Sequence, residues 1–377
     1  MDTYRCGGGD VGGSDNYSVG YSQYVRNDIG PAMTSLEKVA GRDDKRTQNA
    51  AYHLADMYLK TGDKRRAMQA FSMAAGADYD ASIREDALFN YGKLQFEMGG
   101  GVFNEAINIL NRYISEYPRS PRIDEAREYL ASAYYNSRNY EAAYDAIKQM
   151  PNPDNNVRTA YQKIAYFRAL EYYQTGDADR AMAMLQESLV NKFNPKYTAL
   201  TSFWMGEIEF SRGNYERAAT RYREYLNVAP QTEDEYKMAW YGLGYSNFNR
   251  QRWDDSKNAF DRFIAQRPGH NSYLADAYNR LGDINFAQRE YWRAIENYDK
   301  AAEIGADERF YAQFQRAIML GFVDRRDRKI ESLGQIATSG QGPYADDALF
   351  ELGRTHLSGR QYNDAARVMK RFIDQYP

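Results

Sequence analysis

The amino-acid sequence predicts an all-α fold, a solenoid of about ten helical hairpins in tandem. The first observation is a recurring pattern. Tyr241-Gly242-Leu243-Gly244 is followed by Trp253, Ser256 and Phe260; Asn279-Arg280-Leu281-Gly282 by Tyr291, Ala294 and Tyr298; Phe350-Glu351-Leu352-Gly353 by Tyr362, Ala365 and Met369. Each block reads small residue, aromatic nine on, small residue three on, large apolar residue four on. Such self-similarity marks stacked supersecondary units. The second is the 34 tyrosines in 377 residues, which fit an array with an aromatic position or two in every repeat. The third is length, which suits two or three globular domains or one elongated array.

Each part of the pattern has a physical reason. Two helices of a hairpin cross closely where both carry Gly or Ala. The bulky residue four on lies on the same helix face and plugs the remaining gap. Gly62-Asp63, Gly176-Asp177 and Gly213-Asn214 predict a left-handed cap that stops the first helix. The turn aromatics Tyr140, Tyr215, Trp253, Tyr291 and Tyr362 are expected to cover the hairpin end.

On these residues the chain resembles the tetratricopeptide-repeat (TPR) family. That family carries a small residue at motif position 8, another at position 20 and a large apolar residue at position 24. Position 8 falls here on Gly20, Ala55, Gly92, Ala131, Ala169, Gly206, Gly244, Gly282, Ala317 and Gly353. Position 20 falls on Ala32, Ala67, Ala106, Ala143, Ala181, Ala218, Ser256, Ala294, Lys329 and Ala365. Position 24 falls on Leu36, Phe71, Leu110, Ile147, Leu185, Tyr222, Phe260, Tyr298, Leu333 and Met369. Pro118, Pro230, Pro268 and Pro377 close four units. The resemblance implies a right-handed superhelical α-solenoid over residues 16–377 behind a flexible Gly-rich leader, 1–15. Its units lie around 16–45, 46–82, 83–121, 122–155, 158–196, 198–233, 235–270, 273–307, 308–342 and 344–377. Two copies depart from the pattern: the first is marked only by Gly20, Ala32 and Leu36, and the ninth has Lys329 where a small residue belongs. Gly99-Gly100-Gly101 lengthens the turn of the third.

The pitch is 35–39 residues against about 34 for the standard repeat. Most of the extra residues are expected in linkers such as Tyr117-Pro118-Arg119-Ser120-Pro121-Arg122 and Gln266-Arg267-Pro268-Gly269-His270. This punctuation is similar to that of bacterial periplasmic and outer-membrane-associated TPR proteins, which are envelope scaffolds. The resemblance therefore implies a location in the periplasm or at the outer-membrane periphery of a Gram-negative bacterium, with the cytoplasm as the alternative.

Aromatic residues recur at positions 5 and 12 of the first helix, seven apart and so on one face. They include Tyr52, Phe89, Tyr135, Tyr166, Tyr173, Phe203, Phe210, Tyr241, Phe248 and Phe286. In the TPR family this face lines the concave surface. One reading is that the stripe packs neighbouring first helices together. The other is an aromatic groove that grips a peptide, a role that suits tyrosine's broad ring and polar tip. Both hold if the ring faces are buried and the hydroxyls exposed. Aromatics at position 5 replace the lysines of heat-shock co-chaperones, which disfavours that role.

Other function classes find little support. The net charge of −3 lacks the basic surplus of a nucleic-acid binder. No apolar run reaches the ~18–20 residues of a membrane span. His53, His270 and His356 fall in different units, and no metal, nucleophile or phosphate motif occurs, so no cofactor or metal is expected. Cys6 beside Gly7-Gly8-Gly9 reads as part of the leader, with a lipid-bearing cysteine as the alternative. Asp254-Asp255 and Asp346-Asp347 complement helix starts. Asp324-Arg325-Arg326-Asp327-Arg328-Lys329 reads as a solvated turn or a site for an acidic partner. With Pro377 at position 32 and no capping helix after it, the chain is expected to be a fragment of a longer protein. The functional expectation is a non-enzymatic scaffold or adaptor that binds a protein or peptide partner on the aromatic face or at a terminal repeat. The alternatives are the substrate-recruiting region of a larger envelope enzyme and a cytosolic regulatory adaptor.

Overall fold

A computed structural model describes residues 11–39, 44–99, 103–151, 153–269, 272–305, 307–339 and 342–376. Cys6, Gly100, Gly101, His270 and Pro377 lie outside them.

Twenty helices are found among the described residues, paired as ten hairpins. The chain divides into two compact units, one ending at Asn194 and one beginning at Pro195. The first holds α1 (Val11–Val25), α2 (Ile29–Glu37), α3 (Lys45–Lys60), α4 (Lys64–Gly76), α5 (Ala81–Met98), α6 (Asn104–Glu116), α7 (Ile123–Asn136), α8 (Tyr140–Lys148), α9 (Asn155–Gln174) and α10 (Ala178–Val190). The second holds α11 (Pro195–Ser211), α12 (Tyr215–Leu226), α13 (Asp234–Asn249), α14 (Trp253–Ala265), α15 (Ser272–Ala287), α16 (Tyr291–Ile304), α17 (Glu308–Phe322), α18 (Arg326–Ser339), α19 (Ala345–Ser358) and α20 (Tyr362–Gln375). Helix α1 begins at Val11, inside the stretch read as leader. The extra pitch is shared between linkers and long first helices: α9 runs 20 residues and α11 17, against 14 for α19.

The hairpin crossing follows the pattern read from sequence. Every position-20 Ala or Ser is buried, as is position 24 except for half-buried Met369 in the last hairpin. A methyl group built on Gly206, Gly244 or Gly282 would lie 2.9, 2.8 or 2.5 Å from the ring of Tyr222, Phe260 or Tyr298. Glycine is thus demanded at position 8 of these three hairpins, where the ring of Tyr222, Phe260 or Tyr298 fills the space a methyl would take. Ala55, Ala131, Ala169 and Ala317 serve where the plug is Phe71, Ile147, Leu185 or Leu333.

The turns are more uniform than their sequences. Gly62, Gly176 and Gly213 adopt φ of +82°, +81° and +76° as expected. Asn27, Arg138, Gln251, Arg289, Asp324 and Arg360 occupy the same left-handed place, with φ of +56° to +63°. In each, the next amide donates to the carbonyl five residues back, as from Asp63 to Tyr58 at 2.8 Å and Arg252 to Asn247 at 2.9 Å. This closes the orphan carbonyls of the first helix. Stacking imposes the bend even where no glycine announces it.

Buried amides tie the second helix of a hairpin to the linker after it. Gln48, 2% exposed, donates through Nε2 to the carbonyls of Ala74 (3.1 Å) and Ala77 (2.9 Å) and accepts from the Asp80 amide (2.7 Å). Gln162 does the same for Asn194, accepting from its amide at 2.7 Å.

The mixed-charge run at 324–329 is only partly a solvated turn. The Arg326 guanidinium donates to the Thr355 carbonyl at 2.7 Å, lying where a Cβ on Gly359 would be. It thereby caps the C-terminus of α19. Lys329, the residue too large for position 20, runs its stem past Gly321 and brings Nζ to 3.6 Å from Glu351. Glycine at position 12 makes room for the lysine at position 20. Asp254-Asp255 and Asp346-Asp347 lie in the first turns of α14 and α19, as expected.

Candidate functional site

The position-5 and position-12 aromatics divide into two sets. Position-5 rings enter their own hairpin. Phe89 packs on Tyr113 at 5.4 Å, Phe203 on Tyr225 at 5.4 Å, Tyr52 on Phe71 at 6.0 Å and Tyr241 on Phe263 at 5.2 Å. Phe89, Tyr166 and Phe203 are 3–4% exposed. These three cannot offer a ring face to a partner, because the second helix covers it. Position-12 rings sit at the turn end. Tyr135, Phe210, Phe248 and Phe286 contact the turn aromatics Tyr140, Tyr215, Trp253 and Tyr291 at 5.8, 5.4, 5.5 and 6.2 Å. Tyr140 and Tyr291 also stack on Phe167 and Phe322 of the following hairpins, at 5.1 and 4.9 Å. Tyr362 remains exposed. Tyr173 is half-buried in α9, and Phe286 is 40% exposed.

The hydroxyls of this stripe are not free. Tyr17 donates to Asn49 Oδ1 at 2.9 Å, Tyr52 to Asp86 Oδ2 at 2.5 Å and Tyr241 to Asp276 Oδ2 at 2.8 Å. Each acceptor is the position-2 residue of the next hairpin. The expectation of exposed hydroxyls is therefore corrected for Tyr52 and Tyr241: ring and hydroxyl both serve the stacking of hairpins.

In the second unit these clasps merge into a network on α13, α15, α16 and α17. Tyr245 joins Tyr241 on Asp276. Two turns on, Asp283 accepts from Tyr298 (2.7 Å) and Tyr311 (2.8 Å). Arg280 lies between the two carboxylates, with Nη1 2.6 Å from Asp283 and Nε 3.5 Å from Asp276. The latter is ion-pair distance without hydrogen-bond alignment, since Nε has no hydrogen-bond partner among the described residues. Burial, with the carboxylates beside them, pushes the hydroxyls of Tyr241, Tyr245, Tyr298 and Tyr311 well up. Burial also raises Asp283, while Arg280 and the two donated hydrogen bonds pull it down. Burial works against the charge of Arg280, but Asp283, Tyr245 and Asp276 outweigh it and hold its pKa above the ordinary value. The carboxylates and hydroxyls of this network are committed to one another, which fixes the hairpins and leaves little for a ligand.

Beside the network is an open concavity of about 310 Å³ lined by Glu207 and Phe210 of α11, Tyr222 of α12, Met238, Tyr241, Gly242 and Tyr245 of α13, and Tyr273 of α15. The Tyr222 ring passes between α11 and α13: a Cβ on Gly206 would lie 2.9 Å from it and one on Gly242 2.6 Å. Its hydroxyl reaches Glu207 Oε1 at 2.7 Å. No cation pairs with this carboxyl among the described residues, and burial raises its pKa. The rest of the lining is aromatic or thioether, with Tyr273 48% exposed.

Two of the ten expected contact residues, Phe210 and Tyr241, thus meet in one place. The sequence reading missed Glu207, Tyr222, Met238, Tyr245 and Tyr273. Spacing held part of the signal: Tyr52–Asp86 and Tyr241–Asp276 are 34 and 35 residues apart, one repeat.

Among the described residues no group of three or more His, Cys, Asp or Glu is placed to hold a metal ion, and no helix is long and apolar enough to cross a membrane. His53 packs against Tyr24 at 4.4 Å and Tyr21 at 5.3 Å, and burial lowers its pKa. His356 Nδ1 lies 2.7 Å from Gln361 Oε1.

Two tetratricopeptide-repeat family models match the chain, one at residues 205–271 and 241–309, the other at 86–120 and 347–377. No curated protein matches it. Among solved structures it is similar to the crystal structure of MamA (22% identity, TM-score 0.38, spanning 52% of this chain and 97% of that one). It is also similar to YrrB, described as a TPR protein with an unusual peptide-binding site (18%, 0.41, 51% and 92%). A third is MamA 41-end from Desulfovibrio magneticus RS-1 (20%, 0.40, 46% and 92%). With ten hairpins, a repeated small-residue crossing and matching repeat models in both units, the chain belongs to the tetratricopeptide-repeat family.

Proposed function

We propose that this protein is a non-catalytic adaptor that holds a segment of a partner protein against the first-helix face of its second unit. Tetratricopeptide arrays are protein-interaction folds. The observation that carries the choice of place is the concavity around Tyr241. Phe210, Met238, Tyr241, Tyr245 and Tyr273 leave aromatic and thioether surface open there, whereas Phe89, Tyr166 and Phe203 of the same stripe are covered. Such a surface suits tyrosine, which gives a large contact at modest ordering cost, and methionine, whose flexible thioether adapts to an irregular partner.

A photo-crosslinking residue at Met238, in the full chain and its native host, tests this. A discrete protein adduct is expected at 238 and not at Val228, an exposed site on the same unit (68% exposed). Equal labelling at both positions removes the groove as the binding place. An envelope setting is part of the proposal and is supported by the Tyr-Pro and Arg-Pro linkers alone. Fractionation that leaves the native protein in the cytosol overturns it.

A further inference from the structure

We infer that the groove of the second unit selects a partner segment that inserts a lysine or arginine side chain against Glu207. This rests on the groove being the binding place and adds the chemistry it reads.

The argument begins with the carboxyl. Glu207 sits on α11, half-buried, and lines the open concavity. The Tyr222 hydroxyl donates to Oε1 at 2.7 Å. The neighbouring carboxylates are treated differently. Asp276 takes two tyrosine hydroxyls and lies near Arg280; Asp283 takes two hydroxyls and the Arg280 guanidinium. Glu207 has no cation among the described residues, so acceptor capacity is left over in a carboxyl removed from bulk water. A buried carboxylate without a counter-charge is costly. A site that keeps one beside an opening is arranged for a donor that arrives from outside.

The aromatic lining fits the same occupant. Because the Tyr241 and Tyr245 hydroxyls turn toward Asp276, what these residues give the concavity is ring surface. Rings beside a carboxyl accommodate a cationic head by cation–π attraction and charge-assisted hydrogen bonding, while Met238 and Phe210 accept the aliphatic stem. Tyr222 fixes the carboxyl: slotted between Gly206 and Gly242, its ring cannot swing away.

The test is a random-peptide display selection on the full chain, repeated on Glu207→Gln and on Met238→Arg. The first variant keeps an amide oxygen as acceptor for the Tyr222 hydroxyl while removing the charge. The second both fills the concavity and supplies its own cation. Circular dichroism and thermal melts first establish that both variants are folded. The expected result is enrichment of peptides with one Lys or Arg flanked by apolar residues, bound at least about tenfold more weakly by Glu207→Gln and not measurably by Met238→Arg. Peptides lost on Met238→Arg but indifferent to Glu207→Gln, or lacking a basic anchor, overturn the cation reading and leave the groove. Peptides indifferent to both variants overturn the groove itself. Binding of free tetramethylammonium as tight as the peptides' overturns the assignment to a protein segment.

Discussion

The hydroxyl of Tyr241 on α13 donates to the carboxylate of Asp276 on α15 at 2.8 Å, joining two hairpins across one repeat. Tyr52 and Asp86 repeat the relationship in the first unit. The clasp makes these two tyrosines part of the stacking, one of the two readings the sequence allows for the aromatic face. Tyr241→Phe is expected to cost about 1 kcal/mol, since Tyr245 still serves Asp276. Asp276→Ala is expected to cost about 2–3 kcal/mol, because it strands two hydroxyls and one carboxylate's share of Arg280. Urea titration of the variants, read by tyrosine fluorescence and circular dichroism, gives both values; equal costs would show that Asp276 is not shared.

Replacing glycine makes a sharper prediction because its sign depends on place. Gly282→Ala puts a methyl 2.5 Å from Tyr298, and overpacking of this kind costs about 1–3 kcal/mol. Gly334→Ala, inside α18 with nothing within 4 Å, gains up to about 1 kcal/mol of helix propensity. Thermal melts should move in opposite directions.

The left-handed turns offer a stabilising change. Gln251 is exposed with φ +56°, a conformation that costs a side-chain-bearing residue about 1–2 kcal/mol. Gln251→Gly relieves it, and after the added chain entropy of glycine a net gain of about 0.5–1 kcal/mol is expected. A melt unchanged or lowered by this substitution refutes the account.

Gln48 tests the buried amide. Gln48→Leu preserves volume but leaves the Asp80 amide and the Ala77 carbonyl without the partner they now have. About 2–6 kcal/mol should be lost, at about 1–3 kcal/mol for each of the two stranded groups. Hydrogen exchange at Asp80 should quicken by more than at the α3 core.

Glu207 makes its own contribution to the pH dependence of stability. Burial raises its folded-state pKa above the ordinary value of 4.5. The folded protein therefore binds its proton more tightly than the unfolded chain does. The associated stability is complete below pH 4.5 and is lost as pH rises through the folded value. Glu207→Gln removes this loss, so the variant should gain on the parent as pH climbs from 4.5 through the folded value. Isotope-edited NMR of the carboxyl gives the folded pKa directly.

Two levels of information meet in this protein. The hairpins were legible in sequence because each crossing needs a small residue, and the plug four residues on must lie on the same face. Those constraints act within about 40 residues and repeat ten times. The glycine caps at 62, 176 and 213 were legible for the same local reason. The left-handed turns at Arg138, Gln251, Arg289 and Arg360 were not, because there the stacked helices impose the bend on residues that do not favour it. The aromatic stripe was found, but its division was decided by depth: Phe89, Tyr166 and Phe203 fall under their own second helices, while Tyr241 borders an opening. Glu207 and Tyr222 are 15 residues apart, as are Asp283 and Tyr298, so that pair lay within reach of the repeat; Tyr273 comes from α15, two hairpins on, and nothing in the spacing of one repeat says that it faces them. Periodicity determined the solenoid. Only the stacking of one hairpin on the next determined which carboxyls received a cation and set Glu207 beside an opening with a tyrosine hydroxyl instead.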